Sequence, residues 1–314
     1  MDRPCLELRS VSKRYPDGTQ AVREVSIRVE CGTITALLGP NGSGKSTLLA
    51  MAAGVTRPSS GEILVLGASV WGPEGRRARR LIGYMPQVDP LHPLLTGWEN
   101  LSFHASMHGV RLDESLVYEA AETLGLGREA LKRRVRSYSG GMKRKLSLIA
   151  ALLHEPKVLL LDEPDSGLDP GSRQGLIQLL RSVADGGSAV VYSTHLGQSA
   201  SHADYVVFMN RGRVVDEGAP SELVKRYAPW RLVELEVADT DGLLLELKSF
   251  KDIDVVHLGS NIVRIAIHGD DEVLAAVIRS AARYGLRRLS AREPGVEDAF
   301  LTATGQPLRA EEAG

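Results

Sequence analysis

Nine residues, Gly39-Pro40-Asn41-Gly42-Ser43-Gly44-Lys45-Ser46-Thr47, constrain this chain more than any other stretch. They fit G-x-x-x-x-G-K-[ST], a loop that needs a strand before it and a helix behind it. Both neighbours are present: Ile34 to Leu38 is a short apolar run that reads as a buried strand, and Ser46 to Ala53 is a glycine-free run of helix formers closed by Gly54. Gly39, Gly42 and Gly44 let successive backbone N–H groups converge, and the positive end of the helix makes that point an anion site for a di- or triphosphate. In this reading Lys45 reaches the β and γ phosphates and the Ser46 hydroxyl ligates Mg²⁺. A glycine-rich turn with a merely solvated lysine would not need the strand and the helix.

Three further stretches carry chemistry that suits a bound nucleotide. Val158 to Leu161 is wholly apolar and runs into Asp162-Glu163, so a buried strand delivers two carboxylates at its end. Asp162 is placed to hold Mg²⁺ through water and Glu163 to polarise an attacking water. Ala189 to Thr194 is another buried strand and ends at His195; in a doubly wound sheet, ligands bind at the carboxyl ends of the strands. Ser139-Gly140-Gly141-Met142-Lys143 opens a second helix with a second backbone anion site. Gln87 ends the apolar run Leu81 to Met85, and Tyr15, before the turn Pro16-Asp17-Gly18, offers a ring on which an adenine can stack. Singly, each of the last three has a bland alternative: a loop, a solvated amide, a packed ring.

Composition narrows the classes. A formal net charge of −1 gives no electrostatic reason to expect nucleic acid or an anionic membrane as partner. No apolar stretch approaches the roughly 20 residues needed to span a bilayer, and the first residues have no signal-peptide core. A membrane part, if there is one, is expected from another chain. Cys5 and Cys31 have no metal-ligand spacing, and a reduced cytosol is the simpler expectation for them.

The order of these pieces resembles the nucleotide-binding subunit of an ATP-binding-cassette (ABC) transporter over residues 5 to 228. That resemblance implies a P-loop NTPase fold (RecA-like α/β) with a helical subdomain at about 89–156, ATP and Mg²⁺ as ligands, and ATP hydrolysis as the reaction. It makes residues 39–47 the Walker A loop, Ser139 to Lys143 the signature, Asp162 and Glu163 the Walker B pair, Ser166 to Asp169 the D-loop and His195 the switch histidine. Lys45, Gln87, Glu163 and His195 are then catalytic, while Ser46, Gln87 and Asp162 attend the metal. Tyr15, Gly39 to Thr47, and Ser139, Gly140 and Gly141 hold the nucleotide, the last three on behalf of a second subunit. Partners implied are a separate transmembrane permease and a second cassette, as homodimer or paralogous heterodimer, at the cytoplasmic face of the cell membrane. Two positions depart from the common pattern, Met142 for glutamine and Asp165 for threonine; Asp165 adds negative charge near the expected dimer interface. The competing class is a soluble cassette ATPase acting on a ribosome or nucleic-acid machine. A single glycine loop and a short helical insertion count against it.

Beyond Gly218 and Pro220 a linker is expected to reach Trp230, after which the pattern changes. Residues 229–304 read as β-α-β-β-α-β, with a turn at Gly259-Ser260-Asn261, the series of a ferredoxin-like domain. Residues 305–314 read as a disordered tail. The segment Glu293 to Leu301 resembles the tail of type-2 exporter ATPases, the group that includes drug and antibiotic self-resistance exporters.

Overall fold

In the computed structural model, residues 3–257, 261–268 and 271–305 are described. The chain divides into two compact units, one built from residues up to Pro220 and again from Ala303, the other Ser221–Thr302.

The first unit is organised by a six-stranded sheet. Its spatial order is Arg213–Gly218, Tyr205–Asn210, Ile34–Leu38, Ala189–Thr194, Val158–Asp162, Ile82–Met85. All neighbours run parallel except the first pair. Strands covered on both faces need no polar alternation, and every residue of Ile34–Leu38, Val158–Asp162 and Ala189–Thr194 is buried. Register decides what these strands present. Leu38 pairs with Thr194, Asp162 with Ser193, and Met85 with Leu161. The glycine loop, the two carboxylates, His195 and Gln87 therefore all leave the sheet at one edge.

A second, antiparallel sheet has the order Gln20–Val29, Leu6–Arg14, Ser60–Val65, Ala68–Ser69. Leu6–Arg14 is thus an interior strand of this sheet; alternation along it reports one buried face and is silent about how many neighbours a strand has. The helix behind the glycine loop, Lys45–Ala52, shares a single core with both sheets: Leu48, Leu49 and Met51 cluster with Leu8 and Ile27 of one and Leu37 and Val191 of the other. Truncating a leucine buried this way costs about 2–5 kcal/mol, so the loop is anchored by a helix that cannot drift. Cys5 and Cys31 are disulfide-bonded, against the expectation of reduced thiols. Strand pairing brings them together, because Leu6 lies opposite Val29.

Between Met85 and Val158 the chain is helical, with Gly97–His108, Glu114–Thr123 and Gly140–Leu152 the longer elements. Thr96 caps the first of these in a capping box: its side chain accepts from the Glu99 N–H, and the Glu99 carboxylate accepts from the Thr96 N–H. Ser139 caps the third by accepting from Met142 N–H.

In the second unit the strands Arg231–Val237, Ile253–His257, Ile262–Ile267 and Leu286–Arg292 form an antiparallel sheet. Its order is Ile253–His257, Ile262–Ile267, Arg231–Val237, Leu286–Arg292. Helices Thr240–Leu247 and Asp271–Arg283 supply Leu243, Leu247, Val277 and Ala281 to a core with Val233, Leu235, Val263 and Ile265. The expected linker after Gly218 is instead a helix, Pro220–Tyr227, with proline in its first turn where no intrahelical N–H is required. Most of the expected turn at 259–261, and the tail from 306 onward, lie outside the described residues.

Candidate active site

The glycine loop is shaped by close approach as much as by dihedral freedom. A side chain on Gly39 would place its first carbon 2.1 Å from the Met209 carbonyl oxygen. Gly44 has φ +102°, and its added carbon would meet the Ala21 carbonyl oxygen at 2.4 Å. Lys45 is buried and curls over the loop, donating to the carbonyls of Gly39 at 2.7 Å and Pro40 at 3.0 Å. Burial lowers its pKa, against the opposing pull of the Glu163 and Asp162 carboxylates. Ser43 is buried with a hydroxyl that has no partner among the described residues, unusual for a buried polar atom. Asn41 and Gly42 are exposed at the tip.

Ser46 donates to Asp162 Oδ1 at 3.0 Å, and Ser193 donates to the same oxygen at 2.6 Å. A hydroxyl and a carboxylate side by side form the oxygen donor set that magnesium takes. The Ser193 hydroxyl also accepts from the Glu163 N–H at 2.9 Å. Glu163 adopts φ +50°, left-handed and uncommon for a residue with a side chain. Its Oε1 lies 3.6 Å from His195 Nδ1, which makes no hydrogen bond among the described residues. The sheet edge thus brings together Lys45, Ser46, Asp162, Glu163 and His195 as the strand register requires.

Tyr15 flanks the loop: its hydroxyl is 3.4 Å from Thr47 Oγ1, the residue is 36% exposed, and Lys13 Nζ sits 5.2 Å from the ring centroid. Gln87 is exposed just beyond its strand. Ser139 and Gly140 are exposed at the start of their helix, and Gly141 packs on the D-loop, where an added carbon would come 3.1 Å from Gly167 O. Asp165 does not project its charge outward. It is 4% exposed and accepts from Thr194 Oγ1 at 3.0 Å, while the Leu196 N–H donates to that same hydroxyl at 3.0 Å. Asp165 therefore braces the two residues on either side of His195.

Sequence reading missed two residues. Ser193 lay inside an apolar strand with no motif of its own. Arg144 lay between the signature and the apolar helix; its guanidinium donates to the backbone carbonyls of Pro86, Gln87, Asp162 and Glu163 and approaches the Asp89 carboxylate. The available signal was a basic residue at a helix position that repeats with Leu148, Ala151 and Leu152, all of which are buried.

A mostly parallel sheet that delivers a phosphate loop, an Asp-Glu pair and a histidine to one edge defines a nucleotide-hydrolysing cassette. The ABC transporter family model matches residues 22–166. The linearmycin resistance ATP-binding protein of Bacillus subtilis is 32% identical, over 97% of this chain and 99% of the relative. The Nod factor export ATP-binding protein I of Rhizobium etli is 34% identical, over 96% and 94% respectively. Among solved structures, a bacterial ABC transporter cassette seen as a dimer superposes with a TM-score of 0.64 at 25% identity, covering 68% of this chain and 98% of that one. The same cassette has been seen in a post-hydrolysis state with ADP and phosphate, TM-score 0.63. The chain belongs to the ATP-binding subunits of ABC transporters, in the exporter-type group of its relatives, and its reaction is ATP hydrolysis.

Proposed function

We propose that this chain is the ATP-driven motor of an exporter, working as a cassette dimer on a separate permease at the cytoplasmic face of the membrane. The observation that carries the reading is the convergence of Ser46, Asp162, Glu163 and His195 beside the Lys45 nest. Lys45 and the loop N–H groups bind the β and γ phosphates, and Tyr15 stacks on the adenine. Ser46 and Asp162, with Gln87, would hold Mg²⁺, which when bound neutralises charge developing on the phosphates. Glu163 orients and deprotonates the attacking water, and His195 holds the γ-phosphate side of the same space. The exposed Ser139-Gly140-Gly141 helix start supports a second role, gripping the γ-phosphate of nucleotide held by the facing subunit. One relative is named for linearmycin resistance and another for Nod factor export; so wide a difference at similar identity supports leaving cargo choice to the permease.

Residues 1–228 form the cassette, with its helical subdomain at 89–156, and 229–304 form an accessory domain of ferredoxin-like type. Supporting the latter are the β-α-β-β-α-β order and the antiparallel sheet in which the first and third strands are central.

The test is Glu163→Gln. Nucleotide binding should persist, because Lys45, Ser46 and Asp162 remain, while hydrolysis falls by roughly 10²- to 10⁴-fold. Uncleaved MgATP should then hold two subunits together, since a ligand that binds only the closed state shifts the population to it. Sedimentation with and without MgATP reads this out, and adding Ser139→Arg should abolish the dimer. A subunit that binds MgATP yet stays monomeric, alone and with its permease, would refute the motor reading.

A further inference from the structure

Among the described residues, the Arg144 side chain alone hydrogen-bonds both the Gln87 loop and the Asp162-Glu163 strand end. It stands in the second turn of the helix that Ser139 caps, and its side chain is 7% exposed. Nη1 donates to Gln87 O at 2.7 Å and Pro86 O at 3.1 Å, with Asp89 Oδ1 at 3.4 Å. Nη2 donates to Glu163 O at 2.8 Å and to Asp162 O; Nε donates to Glu163 O at 3.2 Å. The planar fork is filled by acceptors from two separate stretches of backbone.

Helix packing alone gives no reason to bury a guanidinium. Desolvating it is costly, and the one carboxylate beside it stands at 3.4 Å. What the fork secures is Glu163. That residue holds a left-handed backbone, its N–H tied to Ser193 and its carbonyl tied to Arg144. With both peptide groups fixed, the carboxylate is directed along the sheet edge toward His195. The same guanidinium fixes the carbonyl of Gln87, so a displacement of the Ser139 helix is passed to both residues at once.

We propose that Arg144 is a positioning residue that makes hydrolysis depend on where the Ser139 helix sits, by clamping the backbone of Glu163 and of Gln87. The proposal rests on the reading of Glu163 as the base. A lysine at 144 keeps the charge but offers a single point of donation, which cannot serve two backbones in a plane.

Steady-state ATPase of the full-length chain tests it, alongside affinity for a fluorescent ATP analogue, in Arg144→Lys, Arg144→Gln and Glu163→Gln. Misplacing a reacting group by about 1 Å costs up to about 100-fold, so both Arg144 variants should lose about 10- to 100-fold in kcat. KM and analogue affinity should stay within about twofold of the parent chain, a split that loss of general packing would not produce. The proposal is overturned if kcat in both variants stays within about twofold, or if kcat and nucleotide affinity fall together. Should Glu163→Gln hydrolyse ATP at the parent rate, the base reading itself fails; an inactive Glu163→Gln beside fully active Arg144 variants refutes the clamp alone.

Discussion

Replacing Ser193 by alanine removes one oxygen from the centre of the site, and the consequences can be worked through bond by bond. The hydroxyl is fully buried, so no water can take its place without rearrangement. It donates to Asp162 Oδ1 at 2.6 Å and accepts the Glu163 N–H at 2.9 Å. A hydrogen bond to a charged group contributes about 1.5–3 kcal/mol, and a buried N–H left without a partner costs about 1–3 kcal/mol. Because Ser46 still donates to Asp162, the carboxylate keeps one partner and the lower half of the first range applies. The expected loss is about 3 kcal/mol, or roughly 6–12 °C in the melting temperature of a unit this size. Hydrolysis should fall as well, since Glu163 loses the bond that fixes its N–H in the left-handed conformation, while nucleotide affinity, which the proposed function assigns to the loop and Lys45, should change little. Urea unfolding, ATPase and analogue binding on one preparation measure all three. A stability change under about 0.5 kcal/mol with unchanged ATPase would mean that Ser193 holds neither carboxylate in place.

Two other expectations concern stability. Reducing the Cys5–Cys31 bond, which closes a separation of 26 residues, should destabilise the cassette by about 3.5 kcal/mol on the loop-entropy relation; urea midpoints that coincide with and without reductant would refute the cross-link. His108 and His154 stack with centroids 3.8 Å apart, and burial pushes both pKa values down, with His104 adding to the fall at His108 and His108 to the fall at His154. With folded values below the unfolded value of about 6.5, the unfolded chain binds more protons on acidification, so this contribution is present above that pH and lost below it. His108→Phe, which keeps a ring in the stack and removes one charge, should shallow the loss between pH 7 and 5, measured by urea unfolding. An acid limb identical to that of the parent chain would count against the pair.

How much of this was legible in the sequence depended on whether a residue's role is set by its neighbours in the chain or across the fold. The phosphate loop could be read because its spacing is the geometry: glycines, lysine and hydroxyl are all local. Even there one reason was hidden. Gly39 is required by a carbonyl 170 positions away, at Met209, and no local pattern reports that. The Thr96 capping box and the strand and helix order of residues 231–292 were equally visible, each being a local periodicity or an i, i+3 pair. Gly218 and Pro220 misled, because proline breaks a helix interior but is at home in a first turn.

Register, in contrast, is a non-local property, and the site is built from it. Asp162 meets Ser193 and Leu38 meets Thr194 only once parallel strands from three parts of the chain are aligned. The motif residues announce that alignment, since each had to lie at a strand's carboxyl end to reach a phosphate. The residues that hold them do not. Ser193 looks like one more strand residue, Arg144 like one more basic residue near a helix start, and Asp165 like a misplaced surface charge. Each is buried: Arg144 and Ser193 are bonded to the backbone of Glu163, and Asp165 to the hydroxyl of Thr194 next to His195. A charge or hydroxyl in the apolar stripe of a strand or helix next to a motif is therefore the sequence signal to pursue, because burying it without a partner would cost more than any apolar replacement. The motif residues mark the chemistry of this cassette, and the buried polar residues beside them mark how that chemistry is held in register.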